Sequence, residues 1–505
     1  MTANSTLMNN AALQYKIPLI AIGAGCTLGI AIVDHRFLTL LSILVSGLIL
    51  ALLFKKNQAT KYGLVVLVFV VYTNLSDVLV RFHGIPSILQ PLVALLFFLL
   101  LANWLIHKEK LSGISYPAII LFGYLVVSSL SLFYARDIEL TQIKLGLLIK
   151  DQLIALLIVS LLVTTQDLRR LVWTLILVSV VLGTISCYKY FSGSTSAFLG
   201  FGQTKFAHVS GQLYQYRIAG PVKDPNFFAM IMVFLLPICV DKVINEQSNS
   251  LRFLALWGAL VTTTTLAITF SRGGYLALAT IVGVLLLKSD NRLMKILIVC
   301  VVFLISVPIL PQHIKERIYS TSESITSVIS KKGTADRATI GRLGQMEAAA
   351  HMFSGSPLLG VGLNNYSVHY PYYAYHNDLY SQNSTHSAHS RYLEIAAEQG
   401  IVGLLAFGCL VWIMFSRCQQ ASRGFKLAGH SELESFVSSF QIGLIGHLVA
   451  AIFLHDSYPR YFWLIVGIAL ALPNLALTTS SSTSLRRDTI SSRYLSGGVI
   501  IDKIT

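Results

Sequence analysis

The sequence predicts an all-α polytopic membrane protein, with about 12 to 14 transmembrane helices and one large, mostly helical loop on its outer face. Three observations predict this class. Of 505 residues, 54% are hydrophobic and only 12% are charged, against about 25% charged in soluble globular chains, and the mean hydropathy is +0.67. Apolar runs long enough for a bilayer helix, about 17–25 residues, recur along most of the chain. Lys and Arg collect in alternate connections between those runs. Such a composition excludes disorder of the chain as a whole and argues against an ordinary cytosolic enzyme. The net charge of +15 is spread over short connections, without a basic block or an aromatic-interleaved basic stripe. Membrane lipids are therefore expected partners and nucleic acid is not.

The candidate spans lie near 17–33, 37–54, 63–80, 86–106, 116–134, 145–164, 171–190, 226–240, 253–270, 275–288, 296–310, 401–415, 436–454 and 461–477. The first is read as retained, because no convincing cleavage site follows it. With the N-terminus inside, the inner connections hold Lys55, Lys56, Lys61, Lys108, Lys110, Arg169, Arg170, Lys242, Arg252, Lys288, Arg292, Lys295, Arg417, Arg423 and Lys426. The short outer turns hold Arg36, Arg81 and Arg460, as the positive-inside rule requires. The expected divisions are helices across 1–310 with a smaller outer segment at 191–225, a large outer loop at 311–400, closing helices at 401–477, and a disordered Ser/Thr-rich inner tail at 478–505. Within the loop, Thr334–Phe353 and Ser387–Gln399 read as helices, the second ended by Gly400 as a C-cap. Gly355–Asn365 reads as a turn-rich break. The six cysteines lack CxxC spacing and read as small buried hydrophobes.

Ionisable residues beside membrane spans are costly and mark candidate sites. Arg217 precedes Asp224-Pro225-Asn226, a helix-start signal in which Asp favours the positive dipole end and Pro fits the first turn. Ser271-Arg272-Gly273-Gly274 joins two spans on the outer side. Its guanidinium can hold an oxyanion pair bidentately, or it can be a snorkelling Arg in a tight turn. Arg342 opens the first loop helix. His386, His389, Arg391, Glu398 and Gly400 form the last cluster. A His of near-neutral pKa suits a general base; Glu398 can equally cap or pair. No HExxH motif or well-spaced third ligand accompanies the histidines, so no metal is expected. Gly360-Val361-Gly362 lacks the third glycine and the preceding strand of a dinucleotide loop. The tyrosines of 366–380 can stack on sugars, form a loop core, or sit at the membrane interface.

Taken in order, these pieces resemble the O-antigen ligase/polymerase superfamily of bacterial inner-membrane proteins. The resemblance runs through Arg217…Gly220…Asp224-Pro225-Asn226, Ser271-Arg272-Gly273-Gly274, Gly341-Arg342, the segment from Pro357 to Tyr366, and His389-Ser390-Arg391-Tyr392-Leu393…Glu398-Gln399-Gly400. It covers roughly 215–415 and departs from the family at Ser390, where Asn is frequent. It implies a glycosyltransferase whose active site faces the periplasm. Arg272 and Arg342, with Arg217 as a third, would hold the diphosphate of a polyprenyl (undecaprenyl) diphosphate-linked glycan. His389 would deprotonate the acceptor hydroxyl, with His386, Arg391, Glu398 and Asn226 in support. The reaction implied is inverting and needs neither metal nor cofactor. The acceptor would be lipid A–core in a ligase, or a second lipid-linked glycan in a polymerase. A transporter is the alternative from another class, with Asp77 and His447 as its intramembrane ionisable groups.

Overall fold

The computed structural model describes residues 58–107, 113–194, 198–209, 213–288, 337–377, 387–455 and 459–496. The spans expected near 17–33, 37–54 and 296–310, the loop residues 311–336, and His386 lie outside the described residues.

The chain is an all-α polytopic membrane protein. Seven of its described helices are long and apolar enough to cross a bilayer, or eight if one bent pair is a single span. All eleven remaining expected spans are helical. They are α1 (Gln58–Tyr72) with α2 (Leu75–His83), α3 (Leu89–His107), α4 (Ser115–Ser129), α5 (Ile138–Leu161), α6 (Thr165–Phe191), α7 (Pro225–Asn245), α8 (Asn249–Ile268), α9 (Arg272–Leu287), α12 (Arg391–Leu427), α13 (Ser431–Ala450) and α14 (Pro459–Ser496). The loop adds α10 (Arg337–Gly355) and α11 (Tyr366–His376). The caps are written in the sequence. Asp137 accepts from the Leu140 amide, Thr164 and Asp167 form a reciprocal capping box, and Asp224 accepts from the amides of Asn226 and Phe227.

α7 sits at the centre, buried along almost its whole length and packed against α6, α8, α9 and α13. A helix apolar on all sides belongs in such a position. α14 packs between α5 and α12. At one end of the bundle, Lys242 of α7 donates to Glu432 of α13 at 2.7 Å, and Arg169 of α6 pairs with the same carboxylate. The buried lysine thus keeps a counter-charge, as burial demands.

Four expectations change. The span at 63–80 is a pair of helices bent by 56°. Asn74 sits there in a left-handed conformation and donates to the Pro221 carbonyl at 3.2 Å. The segment 191–225 carries an antiparallel hairpin, β1 (Gln203–Val209) with β2 (Leu213–Gly220). Gly400 does not end its helix for good: it breaks α12 with φ 61° and ψ −156°, and the helix resumes at once. Finally, α14 continues to Ser496, so residues 478–496, expected to be disordered, are helical. An already formed apolar helix supplies the turns on which they propagate, which removes the cost of nucleation.

The Gly400 break docks the loop onto the bundle. Val361 and Gly362 donate their amides to the carbonyls of Ala397 and Glu398 at 2.8 and 2.9 Å, and Ile401 donates to Pro357 at 2.8 Å. A Cβ on Gly400 would run into the backbone of Leu358, and one on Gly360 into the backbone of Glu398. Gly400→Ala and Gly360→Ala are therefore expected to destabilise the chain by roughly 2 kcal/mol or more, through left-handed strain plus backbone collision. Gly123→Ala, with open space around its Cβ, is the control. Melting temperatures in detergent check this: all three melting alike would contradict the docking.

Candidate functional site

Three helices begin at the site, and each does so in the same unusual way. The residue before each N-cap is left-handed without being glycine: Lys223 (φ 59°) before Asp224, Phe270 (φ 51°) before Ser271, and His389 (φ 49°) before Ser390. Such a conformation is unfavourable for a side-chain-bearing residue and persists only where surrounding structure enforces it. The helices that follow are α7, α9 and α12.

Side chains join these starts. Arg217, 6% exposed, extends from β2. Its Nε donates to the Thr269 carbonyl at 2.8 Å, and an Nη donates to Asn226 Oδ1 at 2.8 Å. One guanidinium therefore grips the C-terminal, negative end of α8 and the first turn of α7. Thr269 lies two residues before Ser271, whose hydroxyl accepts from the Gly274 amide at 3.2 Å and caps α9. Arg272 is the first residue of α9. Arg217, Asn226 and the Arg272 turn, separate clusters in the sequence, thus form one connected unit.

His389 completes the site from the loop side. Its neighbour Ala388 is fully buried in the loop core with Ala348, Met352, Tyr366, Tyr370 and Ala397, which anchors the backbone at this point. Burial, the largest influence, acts together with the nearby Arg342, His455 and Lys205 to lower the His389 pKa from 6.5 to about 4, with Asp224 opposing them. The ring is thus neutral at neutral pH, in cationic surroundings that one carboxylate moderates. Ser390 is the N-cap residue of α12, and its side chain makes no capping hydrogen bond.

Two expected supporting residues lie elsewhere. Arg391, 7% exposed, turns into the bundle, its Cζ 4.2 Å from the Phe462 ring centroid and 5.2 Å from that of Phe407. With Lys144, Glu394 and Glu398 it lines a cavity of about 40 Å³ whose wall includes none of Arg217, Arg272, Arg342 or His389, a space with room for a few waters. Glu398 accepts from the amides of Asn364 at 2.8 Å and Tyr366 at 3.1 Å. Asn365 adds a bond from the Asp137 amide at 2.7 Å and donates to Thr141 Oγ1 at 2.9 Å. The Pro357–Tyr366 segment and Glu398 thus hold the loop to the bundle. Of the loop tyrosines, Tyr366 and Tyr370 are buried in its core, while Tyr372 and Tyr375 are exposed. The groups a transport reading would use are engaged locally. Asp77 lies 3.8 Å from Arg460, which also reaches Asp151 at 3.7 Å, and His447 stacks on Phe462 at 6.1 Å.

Sequence reasoning missed His455, whose ring stands edge-on to His389 with centroids 5.3 Å apart. Its only signal in the sequence was an imidazole in the short connection between two apolar runs.

Residues 257–408 match the family model described as O-antigen ligase. The matched segment contains Arg272, Arg342, His389, Glu398 and Gly400, and ends before His455. No curated protein matches the chain.

Because His389 binds its proton more weakly when folded, the unfolded chain carries more protons between pH 6.5 and pH 4. Stability from this group is then lost as pH falls from about 6.5 towards about 4, and is complete above that window. His389→Gln removes the group, so the variant is expected to lose less melting temperature than the parent between pH 7 and pH 5. Equal losses would mean that the ring titrates as it does in water.

Proposed function

We propose that this chain, whose residues 257–408 match the family model described as O-antigen ligase, transfers a glycan from a polyprenyl diphosphate carrier to an acceptor hydroxyl at the periplasmic face of the bacterial inner membrane. The observation that carries the reading is that Arg342 and Asp224 lie close enough to His389 to act on its charge, while Arg217 ties Asn226 to the turn that leads into Arg272. Helix N-termini and guanidinium groups together favour a polyanion, and a diphosphate is the anion that a lipid-linked glycan donor brings.

In this reaction Arg272 and Arg342 hold the diphosphate, with Arg217 as the third arginine, itself fixed by Thr269 and Asn226. His389 takes the proton of the acceptor hydroxyl as its oxygen attacks the anomeric carbon. The bond from that carbon to the phosphate oxygen breaks with inversion, and the electron pair leaves on the diphosphate. Stabilising that departing charge is the main electrostatic task, and the arginines perform it. A base of pKa about 4 is weak while the site is empty. The donor's negative charge offsets Arg342 and Lys205 and raises the proton affinity of His389 when the base is needed.

The acceptor proposed is lipid A–core, which makes the protein a ligase; the same chemistry with a second lipid-linked glycan as acceptor would make it a polymerase. Purified protein supplied with a polyprenyl diphosphate-linked glycan decides between them. Product that requires lipid A–core identifies a ligase, and a ladder from donor alone identifies a polymerase. Arg272→Ala and His389→Ala are each expected to lower turnover by about 100-fold or more, with insertion and folding intact. Arg272→Lys is expected to remain poor for want of the bidentate fork. Activity is expected to survive EDTA. Near-normal output from well-folded alanine variants would remove the site assignment, and loss with EDTA restored by Mg²⁺ or Mn²⁺ would overturn the metal-free mechanism.

A further inference from the structure

The connection between α13 and α14 meets the site at two points. It begins with a single 3-10 turn, Ala451–Phe453, packed against α9, α12 and α13. The Phe453 side chain lies against Gly273, where an added Cβ would come within 3.3 Å of it. Gly273 is the residue after Arg272. Two residues beyond Phe453, His455 presents its ring to His389 at 5.3 Å and 88°. One short segment therefore touches both the helix start that carries the arginine and the imidazole itself.

We propose that His455 is a positioning residue for His389: its ring fixes the plane of the neighbouring imidazole, while Phe453 fixes that pair against the start of the Arg272 helix. The inference rests on His389 being the base. A histidine ring turns about a broad terminal torsion, so burial of the backbone at Ala388 does not set the ring plane. An edge-to-face neighbour does, because the positive edge of one ring seeks the negative face of the other. His455 also adds to the charges around His389. These are Arg342 on α10, Lys205 on β1 and Asp224 at the start of α7. A second imidazole that can itself become positive opposes protonation of the first. Removing it lets His389 hold its proton at higher pH.

The test uses the full-length purified protein with the lipid-linked donor and acceptor. His455→Ala, His455→Phe and His389→Ala are compared in kcat, in KM for the donor, and in the pH dependence of kcat/KM. His455→Ala is expected to lose about 10- to 100-fold in kcat, the scale of a misplaced catalytic group, with donor KM nearly unchanged. His455→Phe keeps an aromatic edge and is expected to recover most of that kcat. Its acid limb is expected to lie at higher pH than in the parent, because a neighbour able to carry positive charge is gone. Parent-like kcat in His455→Ala overturns the proposal. So does a His455→Phe variant as impaired as His455→Ala, which would give the second ring's nitrogens a direct part in proton transfer. An unmoved acid limb in an active His455→Phe overturns the contact between the rings, and this measurement decides the matter if His455→Ala fails to fold. Retained activity in His389→Ala is a different failure: it removes His389 as base, and the role of His455 with it.

Discussion

A carboxylate buried at the edge of a membrane bundle must be given partners, and the way Glu398 gets them organises the rest of the site. It is 5% exposed and accepts from the amides of Asn364 and Tyr366. Those amides belong to the loop, whereas Glu398 belongs to α12, the helix that His389 introduces. A buried carboxyl left without hydrogen-bond partners bears the full cost of its desolvation. The backbone bonds from Val361, Gly362 and Ile401 then close the same seam. Glycine is required on both sides of it, because the chains approach too closely for a Cβ at Gly360 or Gly400. The loop is thereby held in one position on the bundle, and His389 has one place to be.

Placement of the cations follows a similar economy of contacts. Arg217 spends its hydrogen bonds on a carbonyl at the end of α8 and on the Asn226 side chain, so it joins two helices before any ligand arrives. Left-handed residues before Asp224, Ser271 and Ser390 turn three chain segments sharply into their helices. A turn of this kind lets a helix begin at the site without a long approach, so its positive dipole end faces the same region as its neighbours'. The positive φ at these three residues is strain that the surrounding structure must hold in place.

Much of this was legible in the sequence. Hydropathy located the described helices, of which seven, or eight with the bent pair, are long and apolar enough to cross a bilayer. Asp224-Pro225-Asn226 announced the start of α7 through cap chemistry that operates within four residues. The hairpin, the bend at Asn74 and the pairing of Pro357–Tyr366 with Ala397–Val402 were not legible. They depend on hydrogen bonds between residues far apart in sequence, such as Asn74 with Pro221. Gly360-Val361-Gly362 illustrates the difference: the sequence excluded a dinucleotide loop, but its actual partners are Ala397 and Glu398 on α12. Arg391 and Glu398 stood close to His389 in sequence and so read as its helpers. A helix points successive side chains in different directions, and these two face the bundle and the seam instead. His455 reached the site from the opposite direction, through a turn whose partner no local pattern names.

The neutral state of His389 fits the order of events that a lipid-linked donor imposes. A protonated imidazole among Arg342 and Lys205 would add to the attraction for a diphosphate, yet it would be useless as a base. Burial prevents this by keeping the ring uncharged, and the fixed guanidinium groups supply the attraction instead, since arginine stays charged in any such setting. In the proposed reaction, a bound diphosphate would cancel part of the repulsion that suppresses protonation. The imidazole then becomes a stronger base in the presence of the donor than in its absence. Separating permanent charge on the arginines from conditional charge on the histidine lets the two tasks share one small region. Neither group could perform both, because holding the anion requires a positive charge from the outset, whereas accepting the proton requires its absence until the acceptor attacks.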